Sequence, residues 1–480
     1  MAGSRKSSKS KSHHADLAAH LLAQVASIVS ARNHLVVALS GGVDSIVLLD
    51  CLRRIAARLR IRLSALHVNH QLHPDAALWE AFCRRQCRAR RIPYTSARVR
   101  VAPGGGVEAA ARAARYAAFA RQRADYVVLA QHQDDQVETL LLQLLRGAGV
   151  RGLAAMPLLR RAGGRGLRAE GNKNRAIKRG SSSLVPHPSS LQILRPFLDV
   201  TRAEILEYAR RRGLEWIEDD SNANLDFRRN FLRHKVLPLI ARRFPSYRTT
   251  VSRSARHLAE ASAVLDELAA QDAADGFDGE TLAVATLRRL SRRRARNVLR
   301  FFLARGGTGM PNVERLEEAL RQALTAREDA RVAIGLGKTT LRRHRDRLYL
   351  VPDLPALPQR FARSWRGESE MVLPELGGVL RMGRGRGKGI SVARLGKSPL
   401  TVRIRCGGER LQTVSGRPRR SLKNLLQESQ VPPWQRGYLP LLFCGNHLVW
   451  VPGIGIARDF HAQPDEASIQ PRWLWRGEAV

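Results

Sequence analysis

Leu35-Val36-Val37-Ala38-Leu39-Ser40-Gly41-Gly42-Val43-Asp44-Ser45-Ile46-Val47-Leu48-Leu49-Asp50 is the stretch on which the fold turns. Its first five residues are an unbroken apolar run with β-branched members, the pattern of a strand buried on both faces in a parallel sheet. Ser40, Gly41 and Gly42 interrupt the run. Ile46 to Leu49 then resume an apolar pattern that predicts a helix ending near Arg58. The unit is strand, glycine turn, helix. Gly41 and Gly42 lack Cβ, so the backbone can take positive φ and a ligand can approach it closely. The N–H groups of the turn and of the first helical residues, Val43 among them, combine with the positive end of the helix dipole to make an anion site. Ser40 and Ser45 can add hydroxyl donors. Asp44 would repel phosphate unless a cation lay between them, which points to a Mg²⁺ bridge. A Gly-Gly pair alone would fit any α/β turn. The whole Ser-Gly-Gly-x-Asp-Ser string behind a buried strand is a phosphate loop.

Outward from the loop, the chain of 480 residues has room for more than one domain. Lys and Arg total 82 against 42 Asp and Glu, a net charge of +40 that points to a polyanionic partner, part of it attributable to an Arg-rich and Ala-rich composition. No apolar run approaches the length of a bilayer span, so a membrane is excluded as partner. The 5 cysteines are odd in number and scattered, which predicts a reduced, cytoplasmic protein. Cys83 and Cys87 lie four apart on one predicted helix face. They lack the two-residue spacer and the second pair of a zinc or iron–sulfur site, and are read as buried thiols. Residues 1–14 read as a disordered basic tail.

Strands and helices alternate after the loop. A second strand, Ile61 to Val68, ends in His67-Val68-Asn69-His70-Gln71-Leu72-His73, at the sheet edge where open α/β folds bind ligands. His67 there is expected to touch nucleotide or to serve structure. A Gly104-Gly105-Gly106 loop precedes a helix in which Arg112 and Arg115 share a face, either solvated or lying over ATP phosphates or RNA. The apolar strand Tyr126 to Ala130 opens into Gln131-His132-Gln133-Asp134-Asp135-Gln136-Val137-Glu138. One carboxylate can cap the next helix. Two adjacent Asp and a Glu exceed that need, so Asp135 and Glu138, on one helix face, are candidates to hold a cationic substrate group, a metal, or both. Gly335-Leu336-Gly337-Lys338-Thr339-Thr340 imitates a P-loop, but its required first glycine falls at Val332 and the match is rejected.

The Ser-Gly-Gly-x-Asp-Ser string resembles the pyrophosphate loop of the N-type ATP pyrophosphatases. Further motifs narrow the resemblance to the tRNA(Ile)-lysidine synthetases. They are Asp134-Asp135-Gln136-x-Glu138-Thr139 with Gly152 to Met156, His67 to Leu72, Glu108 to Tyr116, and Arg195-Pro196-Phe197. Trp216-Ile217-Glu218-Asp219-Asp220-Ser221-Asn222 and Arg229-Asn230-x-x-Arg233-His234 complete the set. Asp220 stands where the family often has Pro. Together the motifs cover most of residues 35–240, and the stretches 421–426 and 431–451 are similar to the terminal domain of the longer members.

The resemblance implies an α/β, doubly wound parallel sheet of the PP-loop, Rossmann-like kind, followed by a helical domain and a small α+β terminal domain. On this reading residues 15–240 are the catalytic domain, with a flexible insertion at 160–190. Residues 241–352 are a helical, basic tRNA-binding domain, 353–397 a Pro/Gly-rich linker with scattered strands, and 398–480 the terminal domain. The implied reaction joins lysine to C2 of the wobble cytidine of the minor isoleucine tRNA through an adenylated intermediate, with ATP consumed and Mg²⁺ required. Ser40, Gly41, Gly42, Val43, Asp44, Ser45 and His67 would hold ATP, with Asp44 as metal ligand. Asp44, Asp135 and Glu138 would be catalytic; Asp135, Glu138, Arg112, Arg115, Arg229 and Arg233 would hold substrate. A homodimer is compatible with this reading. The alternative within the superfamily is an RNA 2-thiolating enzyme, which would need reactive cysteines.

Overall fold

The computed structural model describes residues 16–100, 107–161, 191–219, 224–327, 330, 332–337, 339–396, 398–413 and 418–475. The basic tail, the Gly104–Gly106 loop, nearly all of the insertion and Asp220–Asn222 lie outside the described residues. The chain forms two compact units, one of Met1–Asp275 with Thr286–Met310, the other of Gly276–Ala285 with Pro311–Val480.

The first unit begins with α1 (Leu17–Ala26), β1 (His34–Ala38), α2 (Val43–Leu59), β2 (Arg62–Asn69), α3 (Ala76–Ala89), β3 (Tyr94–Arg98), α4 (Val107–Ala120) and β4 (Tyr126–Val128). It continues through α5 (Gln133–Leu144), α6 (Val150–Leu153), β5 (Leu159–Arg161), β6 (Gln192–Leu194) and α7 (Arg202–Arg211). The strands form one sheet in the order β3-β2-β1-β4-β6-β5, parallel except for the edge strand β5. Val37 of β1 is paired with Ala65 on one side and Val128 on the other. Alternate residues of β1 leave on opposite faces, and both faces are covered. Leu35 and Val37 join Ile46, Leu49 and Leu52 of α2, while Val36 joins Leu66, Phe119 and Val127. Burial on both sides explains the unbroken apolar run. The chain departs β1 toward β2 and returns through β4 on the opposite flank. Between the carboxyl ends of these two strands lies the switch point where such sheets bind ligands.

A short α8 (Arg228–Phe231), a π-turn over Leu232–Val236 and α9 (Leu237–Arg243) run on as one bent rod into the 27-residue α10 (Tyr247–Ala273). Tyr247 at the start of α10 packs with Val137 of α5 and Leu237 of α9. After β7 (Thr281–Ala283) and α11 (Val284–Arg288), α12 (Arg292–Arg305) buries Ala295, Val298, Leu299, Phe302 and Leu303. Arg294 of α12 pairs with Asp272 of α10, and Asn297 Nδ2 donates to Leu265 O at 2.6 Å. These two helices therefore belong to the first unit. The region expected as one helical domain over 241–352 is shared between units, because α10 closes the apolar flank of α5.

The second unit takes β7 into an antiparallel sheet β7-β10-β9-β8, with α13 (Val313–Thr325), β8 (Ala333–Gly335), β9 (Thr339–His344) and β10 (Arg347–Pro352). The expected linker supplies β11 (Ala362–Ser364), β12 (Glu370–Leu373), β13 (Gly378–Arg386), β14 (Ile390–Ser391) and α14 (Val392–Leu395). Then come β15 (Leu400–Arg403), β16 (Arg410–Leu411), β17 (Arg420–Ser421), α15 (Leu422–Glu428), β18 (Leu441–Cys444), β19 (His447–Val451), β20 (Gly455–Ile456) and β21 (Ala467–Trp475). β13 is paired with β21 from Gly378↔Trp475 to Arg386↔Ala467. A Cβ at Gly378 would stand 2.4 Å from Leu474 O, so that glycine permits the close approach of the two strands. The stretch 362–391 thus supplies strands to the terminal sheets rather than a connection. Gly378, Gly385 and Gly389, which resemble linker composition, lie where a Cβ would press on β21. No helix among the described residues is long and apolar enough to cross a membrane.

Candidate active site

The turn after β1 is folded by its own serine. Ser45 Oγ accepts from Ser40 N and Gly41 N, both at 3.2 Å, and donates to Gly42 O at 2.9 Å. Gly41 has φ +95°, the left-handed region that glycine alone enters cheaply. Gly42 caps α2 in an extended conformation. The first-turn N–H groups, including those of Val43 and Asp44, are the donors a helix leaves unpaired. The hydroxyl of Ser45, expected to face a ligand, is consumed in shaping the loop. Ser40 is exposed and lies 3.1 Å from it, Oγ to Oγ. The Trp216–Asp219 motif lies on the loop. Ile217 N donates to Gly41 O at 2.9 Å, and Ile217 Cδ1 fills the space a Cβ at position 41 would need.

At the end of β4, His132 caps α5 and Asp135 returns a capping hydrogen bond, Oδ2 accepting from His132 N at 3.1 Å. Glu138, one turn on, is 0% exposed. Its charge is met by Arg229 of α8, Nε to Oε2 2.6 Å, and by Arg233 of the π-turn, Nε to Oε1 2.6 Å. Arg229 Nη2 also reaches Asp135 Oδ1 at 2.9 Å, and Arg233 Nη2 lies 3.4 Å from the same oxygen. The spacing of four places both guanidiniums on one side of the rod. Asp135 and Glu138, the candidates to hold a cationic group, thus hold two arginines of the same chain. Both oxygens of Glu138 are occupied by internal cations, and the arginine side chains stay 24% and 22% exposed.

His132 bridges the loop and α5. It is 2% exposed, with Nε2 3.7 Å from Asp44 Oδ2 and 3.6 Å from Asp135 Oδ2, and Nδ1 3.7 Å from Asp134 Oδ2. Asp44 Oδ1 is enclosed without a hydrogen-bond partner. Burial pushes the Asp44 carboxyl above its ordinary value despite His132, and Asp135 adds to the rise. Burial acts the same way on Asp135, but His132, Arg229 and Arg233 outweigh it and hold that carboxyl below its ordinary range. Asp134 turns away to accept from Arg248 Nε of α10 at 2.5 Å and from Arg202 N of α7 at 3.0 Å.

His67 is buried, with Nδ1 2.9 Å from Leu39 O, and burial lowers its pKa, so it ties the ends of β1 and β2 together as a neutral ring. Arg115 is exposed and lies close enough to His70 to depress that imidazole, after burial. Arg112 lies 5.2 Å from the Tyr116 ring. The Tyr116 hydroxyl in turn accepts from Arg195 Nη2 at 3.4 Å, and Arg195 is itself 1% exposed and bonded to Gln131 Oε1 and Pro157 O. Sequence reasoning passed over His132, Arg195 and Arg248 as site residues. The first two stand inside quoted motifs, at the carboxyl end of β4 and beyond β6. Arg248 carries no sequence signal.

Cys83 and Cys87 are fully buried, and burial pushes their thiols up to about 12 and about 11. They are not nucleophiles. Among the described residues no group of three or more His, Cys, Asp and Glu could hold a metal.

Three domain families match the chain. They are a PP-loop domain over residues 12–240, a TilS substrate binding domain over 282–349 and a TilS substrate C-terminal domain over 400–475. The chain is 43% identical over 444 residues to the tRNA(Ile)-lysidine synthase of Nitrosomonas europaea, covering 92% of each. It is 36% identical over 454 residues to that of Coxiella burnetii, covering 94% of each. With that of Pseudomonas syringae pv. tomato it shares 41% over 450 residues, 91% of this chain and 92% of the other.

Proposed function

The chain belongs to the tRNA(Ile)-lysidine synthase family, and on that premise we propose that it joins free lysine to C2 of the wobble cytidine in the minor isoleucine tRNA. ATP adenylates the C2 oxygen and releases pyrophosphate; the lysine side-chain amine then attacks C2 and AMP leaves. The observation that carries this reading is a convergence at one sheet edge. The Ser40–Ser45 turn, His132 and the Asp135–Glu138–Arg229–Arg233 cluster meet between β1 and β4.

The first N–H groups of α2, with the exposed Ser40 beside them, receive ATP phosphates. Asp44, with its enclosed and unpartnered Oδ1 beside Asp135, fits a hard cation. Asp44 would hold Mg²⁺, which would supply positive charge to offset that of the leaving pyrophosphate. Glu138 acts by fixing Arg229 and Arg233, which present guanidiniums to the carboxylate of lysine or to a tRNA phosphate. Asp135, 15% exposed where Glu138 is enclosed, would be the carboxylate that meets the cationic amine beside the arginines. Arg112 and Arg115 extend the basic edge toward RNA. The target base must leave its stack to reach the pocket.

The thiolating alternative is disfavoured by the buried, raised thiols of Cys83 and Cys87. The deciding experiment incubates the protein with ATP, labelled lysine and separated tRNA isoacceptors. Lysine incorporation into the minor isoleucine tRNA, with one AMP per lysine, is expected. Sulfur incorporation, or ATP cleavage without lysine transfer, would overturn the reading.

A further inference from the structure

The rod that carries Arg229 and Arg233 changes phase in its middle. Leu232–Val236 form the π-turn between α8 and α9, and Leu237 N donates to Leu232 O, five residues back rather than four. Pro238, in the first turn of α9, supplies the cause. It has no N–H to offer His234 O, and in an unbroken α-helix its ring would press on that carbonyl. Widening the turn by one residue removes the conflict without breaking the rod. Pro238 is itself exposed, as is Lys235, so neither is kept for burial.

The wide turn decides which way the two halves of the rod face. Upstream, Arg229 and Arg233 are directed at Glu138 of α5, each Nε 2.6 Å from one of its oxygens, and Arg229 reaches Asp135 as well. Downstream, Leu237 packs with Val137 of α5 and with Tyr247, and Ile240 and Ala241 lie beside them. Both halves must therefore present one side to the same helix. At about 100° per residue, an unbroken α-helix would turn Leu237 about 80° and Ala241 about 120° away from Arg229. One residue absorbed in the wide turn leaves each of them about 20° from Arg229 and carries Ile240 to the margin of that side. The burial agrees, since Leu237 is 4% exposed and Ile240 is only half-buried. A straight helix could satisfy the guanidiniums or the apolar seam, but not both.

We propose that Pro238 is a positioning residue for the reaction: the wide turn it imposes sets the Arg229–Arg233 pair in phase with the apolar seam of α9 and holds both guanidiniums where they take the carboxylate of lysine. The proposal rests on the reading that these arginines receive that carboxylate. A proline that merely opened α9 would need no wide turn before it, because its missing N–H would fall among those that a helix start leaves unpaired. Single π-turns are rare and recur at functional sites, where they re-aim side chains within an otherwise regular helix. Guanidinium recognition of a carboxylate is a two-point contact, so a change in the facing of the rod removes both points together.

The test uses the full chain and follows lysine transfer and thermal melting together. Pro238→Ala restores the N–H and removes the ring, so the rod gains access to the straight phase, in which the arginines and the seam compete for α5. The melting midpoint of the first unit is expected to fall and the KM for lysine to rise several-fold, with the KM for ATP unmoved. Deleting Lys235 from the Pro238→Ala chain takes out the residue that the wide turn absorbed. A straight helix then presents both halves correctly, so the midpoint and the lysine KM should return toward wild type. A proline that served chain stiffness alone would not be replaced by a deletion. Wild-type midpoint and lysine KM in Pro238→Ala would overturn the proposal, as would a double variant no better than Pro238→Ala. Arg233→Gln separates this outcome from the reading beneath it. An unmoved lysine KM in that variant overturns the lysine-binding role of the pair, whatever Pro238→Ala does. A raised one, with Pro238→Ala at wild type, overturns the role of the wide turn and keeps the reading.

Discussion

Arg229 and Glu138 are 91 residues apart in the chain and 2.6 Å apart in space, Nε to Oε2. Their contact joins the rod formed by α8 and α9 to the first turns of α5. Glu138 is fully enclosed and also holds Arg233, so deleting it strands two guanidiniums against a buried cavity. Glu138→Ala is expected to cost the first unit about 3–5 kcal/mol, the usual consequence of removing one partner of a buried pair, and Glu138→Gln less. Calorimetry on the full chain should show the melting of the first unit lowered and that of the second unit unmoved. An unchanged melting profile would show that the pair contributes nothing to this fold.

Asp44 stands at the first turn of α2 with an unpartnered carboxylate oxygen. Asp44→Ala is expected to abolish AMP formation and to leave tRNA affinity within about twofold, the scatter within which single exposed charges usually fall. AMP release at the wild-type rate would falsify the metal assignment.

Asp135 keeps one oxygen on a capping N–H and the other on Arg229. Asp135→Asn preserves the shape and removes the charge offered to an amine. The KM for lysine should rise more than the KM for ATP. A rise confined to ATP would move Asp135 to the metal site.

The Arg248–Asp134 pair carries a pH signature. Burial raises the Asp134 carboxyl, but the Arg248 hydrogen bond and the Arg202 N–H outweigh it, so its folded pKa lies below the ordinary 3.8. A depressed carboxyl stabilises the fold above 3.8 and loses that contribution as pH falls through the folded value. Arg248 is 40% exposed, which limits the pair to about 0.2–1 kcal/mol. Arg248→Gln should therefore lower the denaturation midpoint at pH 7, and the difference from wild type should shrink as pH falls from 3.8 through the folded value. A difference that persists or grows in acid would contradict the assignment.

Chain length offers the last test. A protein ending near Arg243 lacks Tyr247 and Arg248, which pack against Val137 and pair with Asp134. One ending at Met310 keeps α10 and α12. Nucleotide binding by isothermal titration is expected of the longer chain and lost in the shorter. Equal ATP affinity in the two would show that α10 is not needed to hold α5.

Much of the site was legible in residues because local chemistry demanded it. The sharp turn after β1 needs Gly41 at φ +95°, and a strand buried on both faces needs the apolar run at 35–39. The motif from Asp134 to Glu138 announced itself by an excess of carboxylates over what a helix cap uses. What those carboxylates do was hidden, since their partners, Arg229, Arg233 and Arg248, arrive from about 90–115 residues away. Sequence spacing carries no information about pairing at that range.

The sequence by itself therefore determined the phosphate loop, the parallel order of the catalytic sheet and the family, because each rests on periodicity or on a contiguous string. Only the tertiary structure decided that Glu138 is closed by two arginines, that Ser45 is consumed in folding its own turn, and that α10 and α12 belong with the catalytic sheet. It also decided that the expected linker supplies β11 to β14 to the terminal sheets. The physical reason is common to all four. Whether a charge is free, a hydroxyl available or a glycine flexible depends on what packs against it, and packing partners are chosen by burial across the fold rather than by neighbours along the chain.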